Sequence, residues 1–339
     1  MGQRTNYVLV EGGGWRLHYS HWGANRLDVD LLDGPASTTR FIRAQHEVER
    51  DDWLDDVWCE GAALVDHDAR QLLLFTIHLD GFAHRTALLA VLARTWPGWE
   101  IRWAYDGLED IAAHVGVDRA VVRTAGDGPG GGSAAGPRDM GPLAPAEPDE
   151  HDFAVSLSVV DEQGARGYAL WVESVLDLLH RGPGLVREVP REARLREFGA
   201  VPQCGVHVDR VRRTVAAWTG ENLEGQAGAR ALPGWDGWRW TFWQDEYAAQ
   251  ERASAGAVVF PAVDLAGAVR ELTQRFDRLA DKDPVASFRA VHEKILQQDP
   301  GARPSPWTEA HTVTGPLPGE RAALRAVLAA LGGVPDDRT

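Results

Sequence analysis

Two stretches of this chain repeat the same ordered set of residues, which indicates that an ancestral module was copied and fused. The matched residues, in order, are Tyr19 with Tyr168, Trp22 with Trp171, Asp30 with Asp177, Gly34-Pro35 with Gly182-Pro183, Cys59 with Cys204, Asp66 with Asp209, Arg70 with Arg213, Thr76 with Thr219, Pro97-Gly98-Trp99 with Pro233-Gly234-Trp235, and Arg102-Trp103 with Arg239-Trp240. The spacing between partners drifts from 149 residues down to 136 and 137 along the chain, which scattered chance matches would not do. A tandem duplication predicts two similar domains, packed about a pseudo-twofold axis.

The residue pattern within each copy predicts an α+β module in roughly ββαββαβα order. Alternating strands joined by glycine-rich or polar turns predict two hairpins in the first copy, over residues 6–22 and 57–77. Helical patterns follow at residues 25–32, 37–48, 86–96 and 108–115, and a strand at 99–105. The second copy shows the same first hairpin at residues 155–172 and a late aromatic strand at 238–243.

The duplication predicts four segments. The first repeat covers residues 1–124, a flexible Gly/Pro-rich linker 125–150, the second repeat 151–260 and a helical extension 261–339. In the extension, apolar residues recur at helical spacing from Leu265 to Leu279. Further helices are predicted at 283–298 and 321–331, and we expect the extension to dock against the duplicated body.

Composition limits the partners and the compartment. The chain of 339 residues carries a net charge of −15, which disfavours nucleic acid and anionic membranes because both attract basic surfaces. It has no secretory signal core and no apolar run of about 18 residues, so we expect a cytoplasmic protein. Its two cysteines, Cys59 and Cys204, fit buried free thiols, with a disulfide between the repeats as the alternative.

Polar side chains concentrate after the second strand of the first copy. They are His18, His21, Asn25, Arg26, Asp28 and Asp30. The second copy has Gly167 and Leu170 where the first has His18 and His21, so the first copy is the better candidate for a site. Against a shared site, the two histidines face opposite sides of a strand, and the two aspartates separate on a helix. The recurrence of Asp30 as Asp177 favours a structural role.

Three further groups of residues are candidates for binding. His78 and His84 flank Asp80 after a strand, but their spacing matches no closed metal motif. Arg102 and Arg239 occupy matching strand positions and could bind an anion, or each could pair with an aspartate. The acidic stretch over residues 47–60 would attract a basic partner, or it is a solvated loop.

The sequence therefore predicts a non-catalytic binding or interaction protein with no metal site and no recognisable cofactor. Its ligand, a protein or a small molecule of basic character, would sit between the repeats or on the acidic face of the first repeat. The alternative is a hydrolase working from the first repeat, with His21 as the general base and Asp30 and Arg26 as orienting groups.

Overall fold

The computed structural model describes residues 3–123, 141–147, 154–172, 175–221, 223, 234–280, 282, 290, 293–294, 297 and 316–333. The chain divides into two compact units. The first is formed by Met1–His78, Thr86–Gly132 and Leu265–Thr339, and the second by Leu79–Arg85 and Ser133–Asp264. The C-terminal helices therefore belong to the first unit.

The first unit contains a six-stranded mixed sheet in the order β3-β2-β1-β4-β5-β6. Its strands are β1 Thr5–Glu11, β2 Gly14–Ser20, β3 His46–Val48, β4 Gly61–Asp66, β5 Gln71–Thr76 and β6 Glu100–Trp103. The pairs β1/β4 and β5/β6 are parallel, and the other neighbours are antiparallel. Every residue of β4 and β5 is buried, because helices cover both faces of the sheet.

The helices of this part of the chain divide between the two faces of the sheet. They are α1 Leu27–Asp30, which follows a 3-10 turn at Gly23–Arg26, α2 Pro35–Arg43, α3 Gly81–Thr95 and α4 Leu108–His114, followed by a 3-10 turn at Arg119–Val122. On one face, Phe41 of α2 packs edge-on against Tyr7 of β1. On the other, His114 of α4 bonds Asp66 of β4, with 2.9 Å between Nε2 and Oδ2.

The second unit contains a sheet of similar topology, in the order β12-β11-β10-β8-β9-β7. Its elements are β7 Ala144–Pro145, β8 Val155–Asp161, β9 Gly164–Trp171, α5 Val175–Leu179, the 3-10 turns Gly182–Arg187 and Arg191–Ala193, β10 Cys204–Asp209, β11 Thr214–Thr219, β12 Arg239–Phe242 and α6 Tyr247–Ala253. An antiparallel hairpin, a parallel step, a second hairpin and a parallel last strand recur in the same sequence order. The predicted α+β class is confirmed.

Strand register corrects part of the residue matching between the two copies. Thr5 of β1 pairs with Gly61 of β4, and Val155 of β8 pairs with Cys204 of β10. Cys204 therefore occupies the position of Gly61, two residues beyond Cys59. The matching of the two cysteines was wrong because it followed identical letters rather than the strand pairing. Ser20 pairs with Thr5 and Leu170 pairs with Val155, so His18 and His21 correspond to Tyr168 and Trp171, and their matching with Gly167 and Leu170 was wrong by one residue.

The last strand of each sheet needs the same kind of correction. Trp96 packs edge-on against Trp99 at 5.0 Å, and Trp235 packs in the same way against Trp238 at 4.9 Å. The backbone N–H of Glu100 donates to Arg70 O at 2.9 Å, and that of Arg239 donates to Arg213 O at 2.9 Å. Glu100, not Arg102, is therefore the counterpart of Arg239, and the predicted equivalence of Arg102 with Arg239 was wrong by two residues.

The residue matching in the first helix of each unit needs a smaller correction. Trp96 Nε1 donates to Leu31 O at 2.9 Å, and Trp235 Nε1 donates to Leu179 O at 2.6 Å. Leu31 and Leu179 therefore correspond, so the residue of the second unit that is equivalent to Asp30 is Leu178. The carboxylate of Asp30 has no counterpart in the second unit, and its supposed recurrence as Asp177 was wrong by one residue.

The two C-terminal helices that the structure describes are α7 Leu265–Leu279 and α8 Pro318–Gly332. Both dock on the first unit, and Glu320 of α8 accepts a hydrogen bond from Arg40 of α2. The helix predicted over 283–298 lies largely outside the described residues.

Two predicted segments differ from the structure. The helix predicted over 37–48 ends at Arg43, and the segment His46–Val48, whose first two residues are polar and exposed, forms the edge strand β3. The predicted linker 125–150 lies largely outside the described residues, but within it Ala144–Pro145 pair with β9 as the strand β7.

Candidate functional site

The structure brings Arg26 and Asp30 together as a buried ion pair. Arg26 Nη2 lies 2.9 Å from Asp30 Oδ1, and the two side chains are 5% and 7% exposed. Arg26 Nη1 also donates to Lys282 O at 2.6 Å. Burial raises the pKa of Asp30 to about 6, and the charge of Arg26 opposes this rise. The Arg26 guanidinium is therefore bound by the Asp30 carboxylate and the Lys282 carbonyl of the protein itself.

Asp28 and Asn25 anchor helix α7 to the same turn. Arg275 of α7 donates from Nε to Asp28 Oδ2 at 2.6 Å and from Nη2 to Asn25 O at 2.7 Å. The Asn25 amide donates to Gln3 Oε1. The polar cluster predicted as a site thus forms the attachment of the C-terminal helices, which explains why the second copy lacks it.

The two histidines of the predicted site lie apart from this cluster. His21 Nδ1 is 2.8 Å from the Tyr19 hydroxyl, and its ring packs against Trp22. His18 is buried within β2; burial lowers its pKa, and the backbone of Gln45 opposes the shift. Within residues 3–123, no hydrogen bond joins His21 to a carboxylate. The geometry does not assemble His21 with Asp30 or Arg26.

The remaining predicted binding residues are dispersed. His78 Nε2 is 2.7 Å from Glu60 Oε2, and His84 Nδ1 accepts a hydrogen bond from the Asp80 backbone N–H at 3.2 Å. Arg102 and Arg239 are both exposed, on β6 and β12. Among the described residues, no three His, Cys, Asp or Glu side chains are grouped so that they could hold a metal ion.

Both cysteines are free and buried. Burial raises the pKa of the Cys59 thiol to about 12, and it raises the pKa of Cys204 well above its usual value. Because the thiolate is the reactive form, neither cysteine is suited to nucleophilic catalysis. The disulfide alternative is not formed.

An exposed apolar cluster lies at one end of the first sheet, and sequence reasoning missed it. We define the Trp58 face as Val57, Trp58, Ile77 and Val121. Trp58 is 54% exposed and Ile77 is 57% exposed. Ile77 N donates to Glu60 O at 3.0 Å, and Asp56 N donates to Val122 O at 2.9 Å, so the three segments that carry these residues are adjacent.

The conformation around Trp58 is fixed by local interactions. Asp55 Oδ1 accepts the backbone N–H of Trp58 at 2.9 Å, which orders the turn that presents the indole. The Arg4 guanidinium lies 4.5 Å from the centre of the Trp58 ring. This ordering lowers the entropy cost of using the indole as a contact.

Carboxylates precede the Trp58 face along the chain. Residues 47–60 contain seven acidic residues and one arginine. Four of the acidic residues are exposed and make no ion pair within the described part of the chain; they are Glu47, Glu49, Asp51 and Asp52. An exposed apolar patch such as the Trp58 face is typical of an interaction site.

A buried hydrogen-bond network crosses the second sheet. Gln250 of α6 accepts from Trp218 Nε1 at 2.6 Å and donates to Val206 O at 2.9 Å and to Ser158 Oγ at 3.1 Å. Ser158 Oγ is in turn 2.9 Å from His207 Nδ1. All four side chains of the network are buried. The contact between Ser158 and His207 is structural, because both side chains are buried and no substrate could reach them. The four residues of the network lie on three strands and a helix that sequence reasoning did not connect.

We expect the buried His207 to make the second unit less stable in mild acid. Burial lowers its pKa from the usual value of 6.5 to about 4. His207 therefore binds a proton below about pH 6.5 in the unfolded chain but only below about pH 4 in the folded protein. We expect the unfolding free energy of the second unit to fall by about 2 kcal/mol between pH 7 and pH 5 through this group.

The measurement is urea unfolding across that pH range for the wild type and His207→Gln. The variant should lose the dependence contributed by one proton. An imidazole of His207 that titrates near pH 6.5 by NMR would contradict the prediction.

No protein-family model, no curated protein and no solved structure matches this chain. In the described part of the chain, no helix combines the length and apolarity needed to cross a membrane.

Proposed function

We propose that this chain is a non-catalytic binding protein that arose by duplication of an α+β module. Its first unit would bind a basic, amphipathic protein segment through the Trp58 face. The observation that carries the proposal is the set of exposed apolar side chains on three segments that backbone hydrogen bonds join, in a part of the chain that is rich in carboxylates.

Duplication is supported by details that simple similarity of fold does not require. Arg70 and Arg213 are both non-glycine residues with positive φ, at 52° and 50°. In the two turns, Asp66 Oδ1 accepts from Ala69 N and Asp209 Oδ1 accepts from Arg212 N, each at 2.8 Å. A backbone conformation that is uncommon for arginine favours common descent when it occurs at the same register position twice.

The chemistry of the partner follows from the composition of the face. Trp58 offers a large amphipathic surface, and tryptophan is enriched among residues that dominate binding energy. The acidic stretch over residues 47–60, which contains Trp58, attracts lysine and arginine and raises the rate of encounter. A helix with leucine on one side and lysine on the other satisfies both requirements.

The geometry gives less support to the hydrolase alternative. His21 contacts a tyrosine rather than a carboxylate, and Asp30 is enclosed with Arg26. A general base needs access to the substrate and a group that orients it. No observation on the first unit supplies these together.

The proposal predicts that a labelled Lys/Leu amphipathic peptide binds the full chain saturably. Trp58→Ala should weaken binding at least about tenfold, because a central aromatic contact contributes more than about 1.4 kcal/mol. The matched control is Trp171→Ala, which removes an indole that is 49% exposed in the second unit. Fluorescence anisotropy of the peptide measures both affinities.

Added salt should weaken the interaction, since carboxylates contribute to it. Equal affinities for the Trp58→Ala and Trp171→Ala variants would contradict the proposal, and so would the absence of saturation with the wild type.

A further inference from the structure

A cavity of about 350 Å³ in the second unit is lined by three arginines. Arg166 belongs to β9, and Arg194 and Arg196 belong to the extended segment that follows the 3-10 turn Arg191–Ala193. Residues 255–257, which follow α6, complete the lining. The volume lies in the range of small-molecule sites.

The pairing of this extended segment with β9 sets the positions of the arginines. Tyr168 bridges antiparallel to Arg194, and Leu195 N donates to Gly167 O at 3.0 Å. Continuing this register by two residues places Arg166 opposite Arg196. Because side chains alternate along an extended segment, Arg194 and Arg196 project from the same side.

Of the three arginines that line the cavity, only one forms an ion pair with a carboxylate within the described residues. Arg166 pairs with Asp161. Arg196 Nε donates to the backbone oxygen of Gly256 at 3.1 Å, and no carboxylate pairs with Arg194 or Arg196 in the described residues. Like charges directly opposite each other on neighbouring strands destabilise a sheet. Two exposed guanidinium groups thus face the cavity without a carboxylate partner, in a chain whose net charge is −15.

The floor of the cavity is fixed by close backbone packing. A Cβ atom on Gly167 would lie 2.4 Å from Ala257 O and 2.5 Å from Leu195 O. Only glycine allows these three segments to approach so closely. The positions of the arginine backbones are therefore set before any ligand arrives, which lowers the cost of binding.

We propose that this cavity binds a small phosphate-bearing ligand, with Arg194 and Arg196 donating to the phosphate oxygens. A dianion matches the two unneutralised guanidinium groups, and arginine binds tetrahedral oxyanions through several parallel hydrogen bonds. The size of the cavity suits a phosphate monoester of a small molecule. This site is separate from the Trp58 face and goes beyond the function proposed above.

The test is titration calorimetry of the full chain with inorganic phosphate at low ionic strength, at a pH where phosphate is doubly charged. We expect saturable binding with one phosphate per chain. The double variant Arg194→Gln/Arg196→Gln should weaken binding at least about tenfold, whereas the matched variant Arg187→Gln/Arg191→Gln, with the same charge change on exposed residues outside the cavity, should keep wild-type affinity.

Succinate in place of phosphate distinguishes the class of dianion, and weaker binding of succinate supports the assignment. The proposal is overturned if phosphate does not saturate the wild type, if succinate binds more tightly, or if the two double variants lose affinity equally. If each variant unfolds at the same temperature as the wild type, a loss of binding is not caused by a loss of folding.

Discussion

Asp30→Asn is expected to lower the free energy of unfolding of the first unit by about 3–5 kcal/mol. The substitution leaves the Arg26 guanidinium, which is 5% exposed, without its counter-charge inside the protein. Hydrogen exchange of the β1 and β4 amides measures the loss, because those strands are the buried centre of the unit. The cause is the uncompensated charge rather than the loss of one attractive contact.

A second variant separates these causes. Arg26→Met/Asp30→Leu removes both charges and should regain most of the lost stability, since apolar residues of similar volume replace buried ion pairs well. The matched control is Asp277→Asn, which breaks the exposed pair between Asp277 and Arg325, at 48% and 53% exposure. That variant should change stability by at most about 1 kcal/mol. A comparable effect of the Asp30 and Asp277 substitutions would show that burial of the pair has no energetic consequence.

Gln250→Leu is expected to destabilise the second unit by about 2–4 kcal/mol. The leucine fills a similar volume but leaves the buried Trp218 N–H without its acceptor at 2.6 Å, and it removes one of the two hydrogen-bond partners of Ser158 Oγ. Exchange of the β10 and β11 amides reports on this network. Gly205 allows it to form, because a Cβ there would lie 2.2 Å from Gln250 Oε1.

The first unit supplies a natural control for this substitution. Ile111 occupies the position in α4 that Gln250 occupies in α6, so the contact at this position is apolar. Ile111→Leu should cost less than about 1.5 kcal/mol. Trp218→Phe combined with Gln250→Leu should recover part of the loss, because it removes the orphaned donor. A double variant whose loss equals the sum of the two single losses would contradict coupling between these side chains.

The α+β class and most elements were predictable because their patterns are local. Alternation and turn residues marked the hairpins, and helix α7 has the bounds Leu265–Leu279 that its periodicity predicted. Strand β3 was missed because an exposed edge strand needs little apolar surface, so His46-Glu47 read as the end of a helix. The errors of one to three residues in matching the copies arose where identical letters lie close together, as in Gly234-Trp235 and Gly237-Trp238.

The candidate site was predicted as a cluster of residues but not as a set of interactions. Asn25, Arg26, Asp28 and Asp30 are adjacent in sequence, and this adjacency was visible. Their partners Arg275 and Lys282 lie about 250 residues away, and no local pattern connects them. Exposure of Trp58 was equally hidden, because tryptophan on a strand or beside one is ordinarily part of a core.

The most direct test of the binding proposal is hydrogen–deuterium exchange of the full chain with and without the Lys/Leu amphipathic peptide. Protection should appear across the segment from Asp51 to Glu60 and around Ile77, while the strands β10 and β11 exchange as they do in the free protein. Protection confined to the second unit, or unchanged exchange near Trp58 at saturating peptide, would show that recognition does not occur at this surface.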